Sequence, residues 1–87
     1  MRVYMVDRDL AGFTTERVAA LQRAAVEMSR RCTAGGKPVR YLRSVFVPSE
    51  SHCMCLFEAD SAKLVQEVNE AAEIPFTRII EALDLTA

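Results

Sequence analysis

Four residues, Pro48-Ser49-Glu50-Ser51, separate two runs that read as strands. A link that short folds the runs back on each other as an antiparallel hairpin. The first run, Pro38 to Val47, alternates Val39, Tyr41, Arg43, Val45 and Val47 with Arg40, Leu42, Ser44 and Phe46. Two arginines in its first half suit an edge strand, where charge blunts further pairing. The second run, Ser51 to Asp60, is apolar at nearly every position. Such a run marks a strand covered on both faces. Its alternation puts Cys53, Cys55, Phe57 and Ala59 on one face and His52, Met54, Leu56 and Glu58 on the other.

On either side of the hairpin stand a helix and one more strand. Arg2 to Asp9 begins Arg-Val-Tyr-Met-Val, a β-favouring run, and Leu10-Ala11-Gly12 ends it. Both of its faces are apolar in the first half and charged in the second, so it is expected to run from a buried region to a polar edge. Thr14 to Cys32 repeats Val18, Leu21, Ala25, Met28 and Cys32 at three- and four-residue spacing, one buried stripe of a helix. Thr14 or Thr15 offers the N-cap oxygen, and Gly35-Gly36 stops the helix. A second helix starts at Asp60 or Ser61 and runs to about Glu73, with Leu64, Val65, Val68, Ala71 and Ala72 inward, until Ile74-Pro75 breaks it. Phe76 to Leu85 is the last strand.

The order strand, helix, strand, strand, helix, strand, with right-handed crossovers, leads to an α+β ferredoxin-like sandwich. Its four-stranded antiparallel sheet has spatial order 4-1-3-2, with both helices on one face. The other face keeps much apolar surface: Tyr4, Val6, Leu42, Phe46, Met54 and Leu56, or else the opposite alternating set. A second copy, packed sheet to sheet, or a ligand pocket is the expected use of such a face.

Composition narrows the function. Eighty-seven residues make one domain, 1-87. Apolar residues are 51% of the chain, above the usual share, which again suggests surface left over for a partner. The formal charge of −1 gives no basic face for nucleic acid. No apolar run approaches the roughly 20 residues that span a bilayer, and no signal segment opens the chain, so a cytoplasmic protein is expected. Three cysteines, an odd number, do not suggest a disulfide framework.

No Ser-His-Asp order, phosphate-binding glycine loop or nucleotide fingerprint is present. The chemistry-bearing residues gather elsewhere. Strands one and three run antiparallel as neighbours, which brings Asp7-Arg8-Asp9 beside His52-Cys53, with Glu50 on the adjoining turn. His52, Asp7, Asp9, Glu50 and Cys53 are therefore the candidate metal ligands, with Cys53 and Cys55 soft enough for Ni²⁺, Zn²⁺ or Cu⁺. Each has a plainer reading beside it. The cysteines pack as small apolar side chains, His52 stands exposed in a hairpin, and Asp7 and Asp9 pair with Arg8, Arg43 or Arg78.

Val6-Asp7-Arg8-Asp9-Leu10-Ala11-Gly12, Val39 to Val47, Cys55-Leu56-Phe57-Glu58-Ala59 and Ala72-Glu73-Ile74-Pro75-Phe76-Thr77-Arg78-Ile79 together resemble a family of small bacterial proteins. It is a domain family of unknown function whose named relatives are described as nickel-binding. The resemblance covers nearly the whole chain. It implies a ferredoxin-like fold, a homodimer and a divalent metal site for Ni²⁺ or Zn²⁺. Relatives often carry a histidine near Val68-Asn69 on the second helix and a glycine where this chain has Glu73. The leading expectation is a non-enzymatic, dimeric metal-binding protein. The second, by analogy of fold, is a dimeric α+β barrel that binds a small molecule or works as a cofactor-free isomerase or monooxygenase. A plain oligomerisation module is the third.

Overall fold

The computed structural model describes residues 1–87. The strands are β1 (Arg2–Asp9), β2 (Val39–Val47), β3 (His52–Ala59) and β4 (Arg78–Ala82); the helices are α1 (Thr15–Ala34) and α2 (Ala62–Ala71). The sheet order is β2-β3-β1-β4 and every neighbouring pair is antiparallel. This is the expected ferredoxin-like α+β sandwich, with β2 at an edge.

Local chemistry sets the element ends. The Thr14 hydroxyl accepts from the Arg17 amide and the Ser61 hydroxyl from the Leu64 amide, so each helix begins on a side-chain cap. Helix α1 closes through the Lys37 amide, which donates to the Cys32 carbonyl, with Gly36 at φ +89°. Helix α2 stops short of the expected Glu73. Ala72 is its C-cap, and Glu73 takes the left-handed conformation at φ 57° that a helix stop requires. The hairpin link Pro48–Glu50 is one 3₁₀ turn, and Ser51 at φ 50° reverses the chain.

Register decides which face meets the helices. Tyr4 lies opposite Phe57, Val6 opposite Cys55 and Arg8 opposite Cys53. All six are buried and face α1 and α2, with Leu10, Ala25, Val65, Val68 and Ile74 completing the core. Tyr4, Val6 and Phe46 thus belong to the helix-covered face, whereas Met54 and Leu56 lie on the open one. The sequence grouping that put them together mixed the two faces. It assumed a common parity, and cross-strand pairing does not keep one.

Strand β2 changes parity within itself. Its register shifts between Tyr41 and Arg43, leaving Leu42 as an extra residue in a bulge. Val39 and Tyr41 face the helices before the bulge; Ser44 and Phe46 do so after it. The ring of Tyr41 meets Phe57 edge-on at 5.4 Å.

Two further differences concern strand ends. Asp7 and Arg8 are buried at 6% and 1% exposure, so β1 does not run out to a polar edge. Strand β4 is shorter than Phe76 to Leu85. It pairs with β1 only from Arg78 to Ala82, and Leu83 and Leu85 are exposed. Beyond it Asp84 reaches Arg43 on the far edge strand, which carries the tail across the open face.

Candidate functional site

The sheet separates two polar groups. On the open face, Asp7 of β1 is the hub. Its Oδ1 lies 3.4 Å from His52 Nε2, and its Oδ2 accepts from Arg78 Nε of β4. His52 is opposite Asp9 in the register, two positions on from Asp7 at the same corner. Antiparallel pairing alone puts these side chains together. Position 7 points to the open face on β1, as do positions 52 on β3 and 78 on β4.

The helix face carries the second group. Arg8 is buried and makes three bonds: Nη2 to Asn69 Oδ1 on α2 at 2.5 Å, Nη1 to the Pro75 carbonyl at 3.1 Å, and Nε to Cys55 Sγ at 3.3 Å. None of these acceptors is a carboxylate. The group nearest to balancing the guanidinium charge is the Cys55 sulfur. That sulfur also accepts from the Ser44 hydroxyl at 2.9 Å and lies 3.9 Å from Cys53 Sγ. The Tyr41 hydroxyl bonds to Ser44 in turn. Because Ser44 donates to sulfur, Tyr41 donates to the Ser44 oxygen.

These bonds move the two thiols apart in acidity. Donation from Cys53, then the Arg8 charge and the Ser44 hydroxyl, hold the Cys55 thiol below its ordinary range against the opposing effect of burial. The Cys53 thiol is pushed up, first by that same bond and then by burial. Burial also raises the Tyr41 phenol, which keeps it a donor. Both thiols line a cavity of about 230 Å³ between the sheet and α1, walled by Leu10, Val18, Leu21 and Phe46. Thr15 and Gln22 at its rim are solvent-exposed.

The five expected metal ligands divide across these places. His52 and Asp7 come together. Asp9 is exposed beside them and accepts from the Ala11 amide at 3.2 Å. Glu50 is exposed on the 3₁₀ turn. Cys53 is on the opposite side of the sheet from His52 and Asp7, so one ion cannot bond all of them. No three His, Cys, Asp or Glu side chains are grouped so as to share an ion. One chain therefore offers a divalent metal two donors from the open-face corner, short of the four or more that such ions take.

Arg8 and Ser44 were not singled out by sequence. For Arg8 a signal existed: it shares its strand parity with Tyr4 and Val6, so its head group had to enter the core. For Ser44 none existed, because its inward orientation depends on the bulge at Leu42.

The sequence matches the family of nickel responsive proteins like SCO4226 over residues 4–82. The chain belongs to that family. Among curated proteins, none matches. The crystal structure of SCO4226 from Streptomyces coelicolor A3(2) is similar to it at a TM-score of 0.79, with 23% identity, over 98% of this chain and 99% of that one. At that identity the likeness establishes the shared fold. The family is described as nickel responsive protein SCO4226-like. In this member no helix is long and apolar enough to cross a membrane.

Proposed function

We propose that this protein is a non-catalytic, metal-responsive homodimer. It takes a divalent transition metal of the nickel class at the corner of its open sheet face. The observation that carries the proposal is the His52–Asp7 pair, 3.4 Å apart on that face. An imidazole and a carboxylate are a suitable donor pair for Ni²⁺ or Zn²⁺. Two donors from each of two copies packed sheet to sheet make four. Membership of the SCO4226-like family supports the choice of metal. Arg78 opposes it, since its guanidinium occupies the carboxylate oxygen that a metal would use.

The test is titration of tag-free protein with Ni²⁺ while its mass is followed in solution. Binding at one fixed stoichiometry per dimer, lost in His52→Ala and strengthened in Arg78→Ala, is the expected result. A dimer that takes up no Ni²⁺ or Zn²⁺ overturns the proposal.

One observation favours a second reading. The cavity between the sheet and α1 is mostly apolar and carries Arg8, Ser44 and two thiols on one wall. Small-molecule sites have that character. A binder of a small anionic or thiol-reactive compound would use it, and Ala19→Leu, which fills it, would block the ligand while leaving the open face intact.

A further inference from the structure

The dithiol wall of the cavity offers donors of a different kind. We infer that Cys53 and Cys55 hold a single soft monovalent ion, Cu⁺, as a bis-thiolate whose charge Arg8 balances. The site is across the sheet from the His52–Asp7 pair and does not depend on it.

Geometry gives the first argument. The two sulfurs are 3.9 Å apart on one strand face, within the span of two thiolate–metal bonds of about 2.3 Å each. That span is shorter than the near-linear arrangement two-coordinate Cu⁺ takes, and a small turn of either cysteine about χ1 opens it without moving the backbone. No carboxylate or imidazole is near enough to add a third or fourth bond. Zn²⁺ and Ni²⁺ want four or more ligands and would be left undersupplied, whereas cuprous ion is satisfied by thiolates in low number.

Charge gives the second argument. Binding Cu⁺ releases the thiol protons to solvent. Two thiolates and one Cu⁺ then carry −1 against the Arg8 guanidinium, and no electron is transferred. The occupied site is neutral. A divalent ion in the same place would leave an uncompensated positive charge in the core, which is costly. Arg8 Nε and the Ser44 hydroxyl already point at the Cys55 sulfur and remain its donors when the ion is bound.

Leu10, Val18, Leu21 and Phe46 surround the sulfurs with apolar side chains on the cavity side. Exposed Thr15 and Gln22 mark the entrance.

The experiment is anaerobic competition for Cu⁺ between the reduced, tag-free protein and a chromophoric cuprous chelator, with X-ray absorption at the copper edge. One Cu⁺ per chain, with sulfur as its only neighbour, is expected. Cys53→Ser and Cys55→Ser should each release it, while Cys32→Ser and His52→Ala should retain it. Nitrogen or oxygen bonded to the copper overturns the inference, as does retention in both serine variants. Displacement of copper by equimolar Zn²⁺ or Ni²⁺, read as a thiolate-to-nickel absorption band in the latter case, overturns the charge argument. If the serine variants fail to fold, the copper spectrum of the unaltered protein still decides the ligand type. Loss of Ni²⁺ uptake in His52→Ala reports only on the open-face site, so the two proposals fail separately.

Discussion

Individual residues carry the sharpest consequences, and Glu73 is the plainest. It is a non-glycine residue at φ 57° after α2, where a left-handed conformation is required. An L side chain there costs roughly 1–2 kcal/mol that glycine avoids. Glu73→Gly should therefore raise stability by about 1 kcal/mol, read as a higher urea midpoint with an unchanged slope. Donation from Cys53, with the Arg8 charge behind it, gives Cys55 a pH dependence. Cys55 titrates lower in the folded chain than in the unfolded one, where a thiol loses its proton near 8.5. Its contribution to stability is complete above that value and fades as pH falls through the folded value. Cys53 is shifted the other way, so its contribution is complete below the unfolded value and is lost as pH rises past it. Metal-free, reduced protein should thus gain stability as pH rises toward about 8.5 and lose it beyond, a maximum that Cys55→Ser flattens on the acid side. Arg8→Gln removes the compensating charge. It should cost about 1–3 kcal/mol through acceptors left unpaired and bring the Cys55 thiol part of the way back toward its ordinary acidity, measurable by thiolate absorbance.

At the scale of elements, turn chemistry and periodicity specified nearly everything that fixes topology. Prolines, glycines and capping hydroxyls marked the ends of α1, the hairpin and the start of α2. The element order they bound admitted one sheet. What sequence could not show was parity across strands. The bulge at Leu42 leaves no compositional trace, since Tyr41, Leu42 and Arg43 are ordinary strand residues, yet it turns Ser44 toward Cys55. The grouping of His52 with Cys53 had the opposite fault. Neighbours in sequence are close along the chain, but a strand sends their side chains to opposite faces. The adjacency of Asp7 and His52 was legible because antiparallel pairing of β1 and β3 follows from the fold itself. Caps can be tested directly. The Ser61 hydroxyl is the only side-chain group holding the start of α2, and Ser61→Ala should cost about 1 kcal/mol in chemical denaturation.

For the molecule as a whole the question is what covers the open face. Val3, Met5, Met54 and Leu56 are half-buried there, and Val45 and Ile80 are 53% and 44% exposed. The tail anchored by Asp84 on Arg43 crosses part of this surface and leaves Leu83 and Leu85 outward. Exposed apolar side chains contribute nothing to the folding of one chain but gain from burial against another, by roughly 25 cal/mol per Å² covered. Charge placed at such positions therefore separates assembly from folding. Val45→Lys with Ile80→Lys sets like charges into the contact proposed between copies while leaving the helix-covered core untouched. The double variant should sediment as a folded monomer with an unchanged circular dichroism spectrum. It should also lose Ni²⁺ uptake, because each copy alone keeps only His52 and Asp7. A variant that stays dimeric would move the interface off the sheet. A monomer that still binds nickel at full affinity would show that the metal needs no second copy.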